Sequence, residues 1–290
     1  MNPTNATGSK KATDSRATAS PEATNSMDDS ERELLEEALR KTMTAPAGPR
    51  RPLGTALTEL GWPEMLTEDP TTAVRAVFRL LGETGSHAPV LNDVLLHEQG
   101  HPPGGTVPMP YTGGLWVRWD REAEAGLGGI DPDLPLRVLP APGAPVPLAL
   151  GRQALGWWLV GTGHAMLALA RGHVLDRHQF GRPLASFQAL RHKLAETLVA
   201  LEGAEATLIR ADGDLSSLLA KAAAGRAALT AARHCQQTLG GTGFTAEHQL
   251  HRHAKRALAL DGLLGSAREL TREAGALIAS RGAVPRLVQL

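Results

Sequence analysis

Apolar side chains follow a helical spacing along the C-terminal half of the chain. From Gly151 onwards the pattern is helical, and one stripe recurs at steps of three, four or seven residues: Phe187, Leu190, Leu194, Leu198, Leu201 and Leu208. This spacing predicts a long amphipathic helix, which Asp212-Gly213-Asp214 should end. Alanine-rich residues 216–238 predict another helix, and residues 258–264 and 270–278 continue the pattern. Helices with such short connections predict an antiparallel four-helix bundle over residues 151–290.

The N-terminal part of the chain also has helical patterns. Ser30 and Glu33 fit a capping box that would begin a helix running to about Met43. After a Pro/Gly break at residues 45–52, amphipathic segments follow near 53–60 and 71–81. We expect a helical domain over residues 29–105. Residues 1–28 are rich in Ser, Thr, Ala and Asn without an apolar run, so we expect a disordered tail and no signal peptide.

Residues 106–150 differ from the rest because their pattern is typical of strands. Leu115, Val117 and Trp119 alternate with Trp116, Arg118 and Asp120. Segments 134–139 and 146–150 are also strand-like, although prolines interrupt them. We therefore expect a reduced β segment packed on a helical body, too short for a complete β-domain.

The composition favours a helical protein in the cytoplasm. Aromatic residues make up only 3% of the chain, and the 30 basic and 30 acidic residues cancel to zero net charge. This balance argues against a nucleic-acid or anionic-membrane partner, and the single Cys235 excludes an internal disulfide. Residues 153–170 lack formal charge, but Gln153, His164 and three glycines favour a buried core helix over a membrane span.

Two short segments could bind a cofactor. The first segment begins at Arg177 and reads RHQFGRPL. Its spacing alone favours a turn between two helices, and the alternative is an arginine that binds phosphate oxygens. In QTLGGTGF, which begins at Gln237, the alternatives are a flexible hinge and a Gly-rich turn whose amides face a pyrophosphate or ribose. This second segment is no dinucleotide fingerprint, because it joins two helices rather than a strand and a helix.

Taken together, these segments resemble the C-terminal domain of the acyl-CoA dehydrogenase family. RHQFGRPLASFQALRHKLAE precedes QTLGGTGFTAEHQLHRHAKRALALDG in the order and separation that the family shows. The resemblance is strong over about residues 151–280 and weaker over residues 29–97. It implies a mainly α fold with an N-terminal helical region, a much reduced β segment and a C-terminal four-helix bundle that mediates dimerisation.

The resemblance also implies FAD, shared with a partner subunit. Carried over by position, Arg177 would pair with the FAD pyrophosphate, while Gln179 and Phe180 would flank its adenosine side. The rest of this half-site would be lined by Gln237, Leu239, Gly240 and Gly241. No metal site is expected, because the neighbouring histidines 248, 251 and 253 have awkward helical spacings and lack a completing carboxylate or thiol.

The sequence departs from the family where the flavin ring and the catalytic base should lie. The family's Thr-Glu-Pro…Gly-Ser-Asp and Trp-Ile-Ser/Thr-Asn motifs are missing, so we expect no complete isoalloxazine site. The family base is a glutamate, and its two known positions fall here on Asp261 and Gly151. Aspartate is one methylene shorter, and misplacing a base by about 1 Å can cost about 100-fold. The pattern favours a helix-terminal polar residue at Asp261, with a weak base as the alternative.

The resemblance therefore implies a reduced subunit of a heteromeric α2β2 acyl-CoA dehydrogenase, like some actinobacterial sterol-side-chain enzymes. This heterotetramer would desaturate an acyl thioester at Cα–Cβ in lipid or steroid degradation. The implied partners are a full-length acyl-CoA dehydrogenase-like subunit, an acyl-CoA or carrier-bound acyl substrate, and an electron-transfer flavoprotein or similar acceptor. Three alternatives stay open: a self-sufficient flavoprotein with Asp261 as base, a flavin-free acyl-thioester lyase or dehydratase, and a non-catalytic scaffold.

Overall fold

The computed structural model describes residues 29–45, 52–121 and 129–282, so the predicted tail at 1–28 lies outside the described residues. The first part is helical: α1 (Asp29–Thr44), α2 (Leu53–Glu59), α3 (Trp62–Glu68), α4 (Pro70–Thr84) and α5 (Val90–Glu98). The Asp69 side chain caps α4 by accepting a hydrogen bond from the backbone N–H of Thr72 at 3.0 Å. The capping box predicted at Ser30 is wrong, because Ser30 lies inside α1.

A three-stranded antiparallel sheet follows: β1 (Pro108–Tyr111), β2 (Leu115–Trp119) and β3 (Leu136–Val138), in the order β1-β2-β3. Val117 and Trp119 are buried while Leu115 is half exposed. The strand-like reading of residues 146–150 is wrong, since no strand forms there and a helix begins at Ala149. Pro145 and Pro147 lack the backbone N–H groups that a sheet ladder requires.

The second helical part contains α6 (Ala149–Asp176), α7 (Gln188–Ile209), α8 (Asp214–Leu239), α9 (Gln249–Gly262) and α10 (Ala267–Arg281). A short hairpin of β4 (His178–Gln179) and β5 (Arg182–Pro183) separates α6 from α7. Helix α6 is central, because it packs on α4, α7, α8 and α9. The mainly α fold class predicted from the sequence is confirmed.

The absence of formal charge in residues 153–170 is explained by burial on several sides of α6. Two glycines allow α4 and α6 to touch through their backbones. A Cβ on Gly161 would lie 2.1 Å from the carbonyl oxygen of Arg79, and one on Gly82 would lie 2.4 Å from that of Trp158. The buried-helix interpretation is therefore confirmed. None of the described helices is long and apolar enough to cross a membrane.

The two ends of the β segment are brought together by one carboxylate. Glu98, the last residue of α5, accepts hydrogen bonds from the backbone N–H groups of Leu150 at 2.8 Å and Gly151 at 3.1 Å. These groups lie in the first turn of α6, which has no intrahelical partner for its N–H groups. A side chain from α5 therefore caps α6 across the whole β segment.

Candidate functional site

The arginine segment forms a tight exposed hairpin at the C-terminal end of α6. The backbone N–H of Leu184 donates to the carbonyl oxygen of Arg177 at 2.8 Å, which closes the hairpin. Phe180 (φ 54°) and Gly181 (φ 78°) are both left-handed, as a two-residue turn of this kind requires. A phenylalanine in this conformation is uncommon, and Phe180 is also 87% exposed. Its ring contacts Phe187 edge-on, with centroids 6.1 Å apart.

The two arginines of this hairpin have different surroundings. The Arg177 side chain is exposed and makes no hydrogen bond or ion pair with any residue that the structure describes. The guanidinium of Arg182 instead lies 4.2 Å from the centre of the Phe187 ring. Arg177 is therefore the hairpin guanidinium that is available to a ligand, whereas Arg182 stacks on an aromatic ring. Gln179 is exposed on β4 beside them.

The Gly-rich segment begins where α8 ends. Gly240 has a positive φ of 60° and stops the helix, and residues Gly240–Phe244 form a short 3₁₀ helix. Gly240 and Gly241 are exposed, and a Cβ on either would meet no atom within 4 Å. The Leu239 side chain is buried in the core, so it does not face solvent at this end.

Helix α7 links the two segments at one end of the bundle. The Lys193 ammonium on α7 donates to the side-chain amide oxygen of Gln237 on α8. Thr197 and His234 lie 3.0 Å apart, between Oγ1 and Nδ1, one turn further along. Lys193 thus brings a cation to the exposed side-chain amide of Gln237, while Arg177 lies directly after the last residue of α6. In the described part of the chain, no hydrogen bond or ion pair joins the hairpin to the Gly-rich segment.

The histidines near this end do not form a metal site. His248 uses Nδ1 to accept a hydrogen bond from the backbone N–H of Leu250, so it caps α9. His253 is buried, and burial lowers its pKa to about 4. Both line a groove of about 540 Å³ between α4, α6 and α9, together with His173. Within residues 29–45, 52–121 and 129–282, no group of three or more metal-ligating side chains is present.

Asp261 lies at a packed joint between α9 and α10. Its carboxylate accepts a hydrogen bond from the backbone N–H of Ala267 at 3.1 Å, at the first residue of α10. Burial raises the pKa of the Asp261 carboxyl. The fully buried Lys221 ammonium donates to the carbonyl oxygens of Asp261 at 3.0 Å and Gly265 at 2.6 Å. Burial lowers the pKa of Lys221 to about 7.

Lys221 is not among the residues predicted from the sequence, although the sequence contains a signal for its burial. On the α8 helix this lysine falls on the same face as Ala224 and Ala228, which are both buried. A charged residue on an otherwise apolar helical stripe indicates a buried cation that needs partners. Here the partners are the carbonyl oxygen of Asp261, near the end of α9, and the carbonyl oxygen of Gly265, in the loop that follows α9.

Side chains pack closely around both positions that could hold the family's glutamate. A Cβ on Gly151 would lie 2.6 Å from Leu95 and 3.0 Å from Leu264. Beside Asp261, a Cβ on Gly262 would lie 2.5 Å from the Tyr111 ring. The Tyr111 ring therefore covers the helix end at Asp261. A longer acidic side chain at Gly151 would have to displace core leucines.

Comparison with known proteins supports the resemblance inferred from the two segments. Residues 144–276 match the family model described as "Acyl-CoA dehydrogenase, C-terminal domain". The chain is 32% identical over 201 residues to acyl-CoA dehydrogenase FadE34 of Mycobacterium tuberculosis, covering 61% of this chain and 28% of that protein. It is 34% identical over 170 residues to acyl-CoA dehydrogenase IpdE2 of the same organism, covering 56% and 54%. The matched region thus spans about half or less of these relatives.

Solved structures show that the similarity extends to the fold of most of the chain. A variant of the Tcur3481-Tcur3483 steroid ACAD superposes with a TM-score of 0.66 at 20% identity, covering 88% of this chain and 99% of that one. The ChsE4-ChsE5 complex of Mycobacterium tuberculosis gives a TM-score of 0.59 at 18% identity, with coverage of 86% and 97%. The resemblance to acyl-CoA dehydrogenases is confirmed, and these solved structures share the fold of the chain.

Proposed function

We propose that this acyl-CoA dehydrogenase-like chain is one subunit of a heteromeric FAD-dependent acyl-CoA dehydrogenase. It would complete the FAD site and the acyl tunnel of a full-length partner subunit in the cytoplasm. The reaction is the α,β-desaturation of an acyl thioester, with an electron-transfer flavoprotein or similar protein as acceptor. The similarity to a steroid ACAD favours a steroid-derived acyl group.

The observation that carries this proposal is the unpaired Arg177. A guanidinium without a counter-ion suits a pyrophosphate, because its planar N–H groups can contact two oxygens at once. Lys193 adds a second cation, and Gln179, Gln237 and the Gly240–Gly241 backbone add neutral amides. This donor set fits the phosphates and ribose of FAD. When bound, FAD supplies the hydride acceptor of the reaction, and these residues hold and orient it.

The packing around Asp261 supports a partner that supplies the base. The Asp261 carboxylate is already bonded to the α10 backbone, and Tyr111 covers the adjoining glycine. Gly151 has no ionisable group, and a side chain there would have to displace the methyl groups of Leu95 and Leu264. A proton at the substrate α-carbon would therefore be removed by a partner glutamate, while this chain binds, orients and excludes water.

Co-expression with a full-length acyl-CoA dehydrogenase encoded next to this chain tests the proposal. The purified complex should be yellow and should reduce an artificial electron acceptor with acyl thioesters, whereas this chain alone should purify without stoichiometric flavin. A monomeric chain fully loaded with FAD would favour the self-sufficient enzyme. A stable complex in which this chain makes no difference to FAD content would favour the scaffold alternative.

A further inference from the structure

Helix α6 carries a stripe of small and apolar side chains that α4 covers only in part. Gly161 lies on this stripe, and a Cβ there would lie 2.1 Å from the carbonyl oxygen of Arg79 on α4. Helix α4 ends at Thr84, whereas α6 continues to Asp176. Beyond the end of α4 the same face of α6 lines the groove of about 540 Å³ with Ala165, Ala168, Leu169 and Gly172. This apolar floor is about 10 Å long.

The opposite wall of this groove is polar, because the start of α9 forms it. His248 and Gln249 both line the wall. The Nδ1 atom of His248 accepts a hydrogen bond from the backbone N–H of Leu250 at 3.1 Å, so in the neutral ring the proton is on Nε2, which can donate to a ligand. The first turn of a helix also has N–H groups without intrahelical partners and a positive partial charge. This wall therefore offers hydrogen-bond donors.

One buried side chain in the wall has an unsatisfied polar atom. His253 is 8% exposed, and its Nδ1 atom has no hydrogen-bond partner among the described residues. Arg256, one turn further along α9, is almost fully buried, and its Nη2 atom has no partner there either. Unpartnered buried polar atoms are uncommon, and a polar side chain of this kind in the lining of a groove is typical of a ligand site.

Most charges near the groove histidines are positive. Burial, Arg256 and Arg252 all lower the pKa of His253. Burial, Arg177 and His248 lower the pKa of His173, and the opposite effect of the Asp176 carboxylate does not cancel theirs. Both rings therefore lie in surroundings that disfavour a further positive charge. The same surroundings favour an anion.

The two acids that line the groove oppose an anion only weakly. Glu83 is already paired, with Arg40 at 2.6 Å and with Arg79 at 3.0 Å. Asp176 is exposed, so solvent screens its charge, and it directly precedes Arg177. An anion at the start of α9 is therefore compatible with both carboxylates.

We propose that this groove binds a small amphipathic carboxylic acid of medium chain length. The carboxylate lies at the start of α9, where it accepts hydrogen bonds from His248 and the Gln249 side-chain amide. The apolar body lies along the α6 floor. The groove volume is within the range of about 300–1,000 Å³ that is usual for small-molecule sites. The site is separate from the proposed FAD half-site, because none of the residues predicted to hold FAD lines this groove.

Titration of the purified full-length chain with octanoate tests the proposal. Ligand-detected NMR at about pH 7.5, where a carboxylic acid is ionised, gives the dissociation constant. Octanol has the same apolar chain without a charge, and octylamine carries the opposite charge. We expect octanoate to bind at least about tenfold more tightly than either, because a charge-assisted hydrogen bond contributes a factor of this size. Inorganic phosphate, which has no apolar body, should bind more weakly than octanoate.

Two variants locate the bound acid. Gly172→Leu fills the groove floor without an internal clash, since a Cβ there would meet no atom within 4 Å, and it should weaken octanoate binding by about tenfold or more. Gly275→Leu on α10 is the matched control, because this glycine is also helical, exposed and free of near atoms. Its affinity should equal that of the parent. His248→Asn retains a good N-cap residue but removes the imidazole donor, so it should also weaken octanoate binding.

The outcomes separate this site from the FAD proposal. Circular dichroism first shows that the variants are folded, and Ala168→Leu replaces Gly172→Leu if that variant is unstable. Absence of octanoate binding, equal binding of octanol, or tighter binding of octylamine or phosphate overturns the proposal. So does octanoate binding that Gly172→Leu leaves unchanged. Because all these measurements use the chain without its partner or flavin, their failure leaves the role of Arg177 in the heteromer untouched.

Discussion

Replacing Arg177 with alanine is the most direct perturbation of the proposed cofactor site. Because this side chain has no partner in the described chain, its loss removes no internal contact, and folding and assembly should be unaffected. A charge-assisted hydrogen bond to phosphate contributes about 1.5–3 kcal/mol, so FAD affinity of the heteromer should fall about 10- to 150-fold. Arg177→Lys should recover only part of this loss, because an ammonium cannot make the two-pronged contact.

Arg182→Ala is the matched control, since it lies in the same hairpin but stacks on Phe187. Its loss removes a cation–π contact of about 0.5–1 kcal/mol and no phosphate contact, so FAD should be retained. The measurement is flavin absorbance at fixed protein concentration after extensive dialysis, with size-exclusion chromatography to confirm that the complex is whole. If Arg177→Ala holds FAD as tightly as the parent, this chain does not complete the cofactor site.

Three further outcomes are expected. Asp261→Asn should lower the turnover of the heteromer less than tenfold, because we expect Asp261 to have a structural role and not to remove the proton. A loss of several orders of magnitude at unchanged FAD content would make Asp261 the base. Lys221→Ala should lower the free energy of unfolding in urea by about 2–4 kcal/mol, because it opens a cavity and leaves two buried carbonyl oxygens unpaired. Lys221→Met conserves the side-chain volume, so its loss of stability should report the effect of the two unpaired oxygens alone. Equal stability of the parent and both variants would refute this account. Burial lowers the pKa of His253 to about 4 in the folded chain, against 6.5 in the unfolded chain. Its contribution to the free energy of unfolding is therefore fully present above about pH 6.5 and is lost as the pH falls towards 4. The free energy of unfolding should therefore be about 2 kcal/mol lower at pH 5 than at pH 8 from this group, and His253→Leu should show a correspondingly shallower pH dependence in urea titrations.

The helices were predictable because the spacing of their apolar residues in the sequence indicates which helix face is buried. The stripe through Leu201 and Leu208 faces the core as expected, although Leu198 on the same stripe is exposed because α7 lies at the surface of the bundle. Helix ends were less predictable, as Ser30 shows. The strand prediction for residues 146–150 was wrong because the prolines in and beside this segment, which the sequence already shows, remove the N–H donors that a sheet ladder requires.

The site was predictable only in part, for a physical reason. The hairpin and the Gly-rich turn are local features that a short run of residues specifies. The partners of Lys221, the position of Tyr111 and the contacts of Asp261 depend on residues far apart in sequence, such as Tyr111 over Gly262. No local pattern contains that information, and so the closed packing around the family's base positions emerges only from the folded chain.

The cap that Glu98 makes on α6 has a consequence for how this architecture can change in length. Because the end of α5 and the start of α6 meet directly, residues 99–148 begin and end at nearly the same place. The entropy of closing such a segment grows slowly, by about 0.6 kcal/mol for each doubling of its length. Evolution or grafting can therefore shorten or enlarge this insert while the helices on both sides keep their junction. A chain with a whole extra domain and a chain with three short strands can share one helical frame.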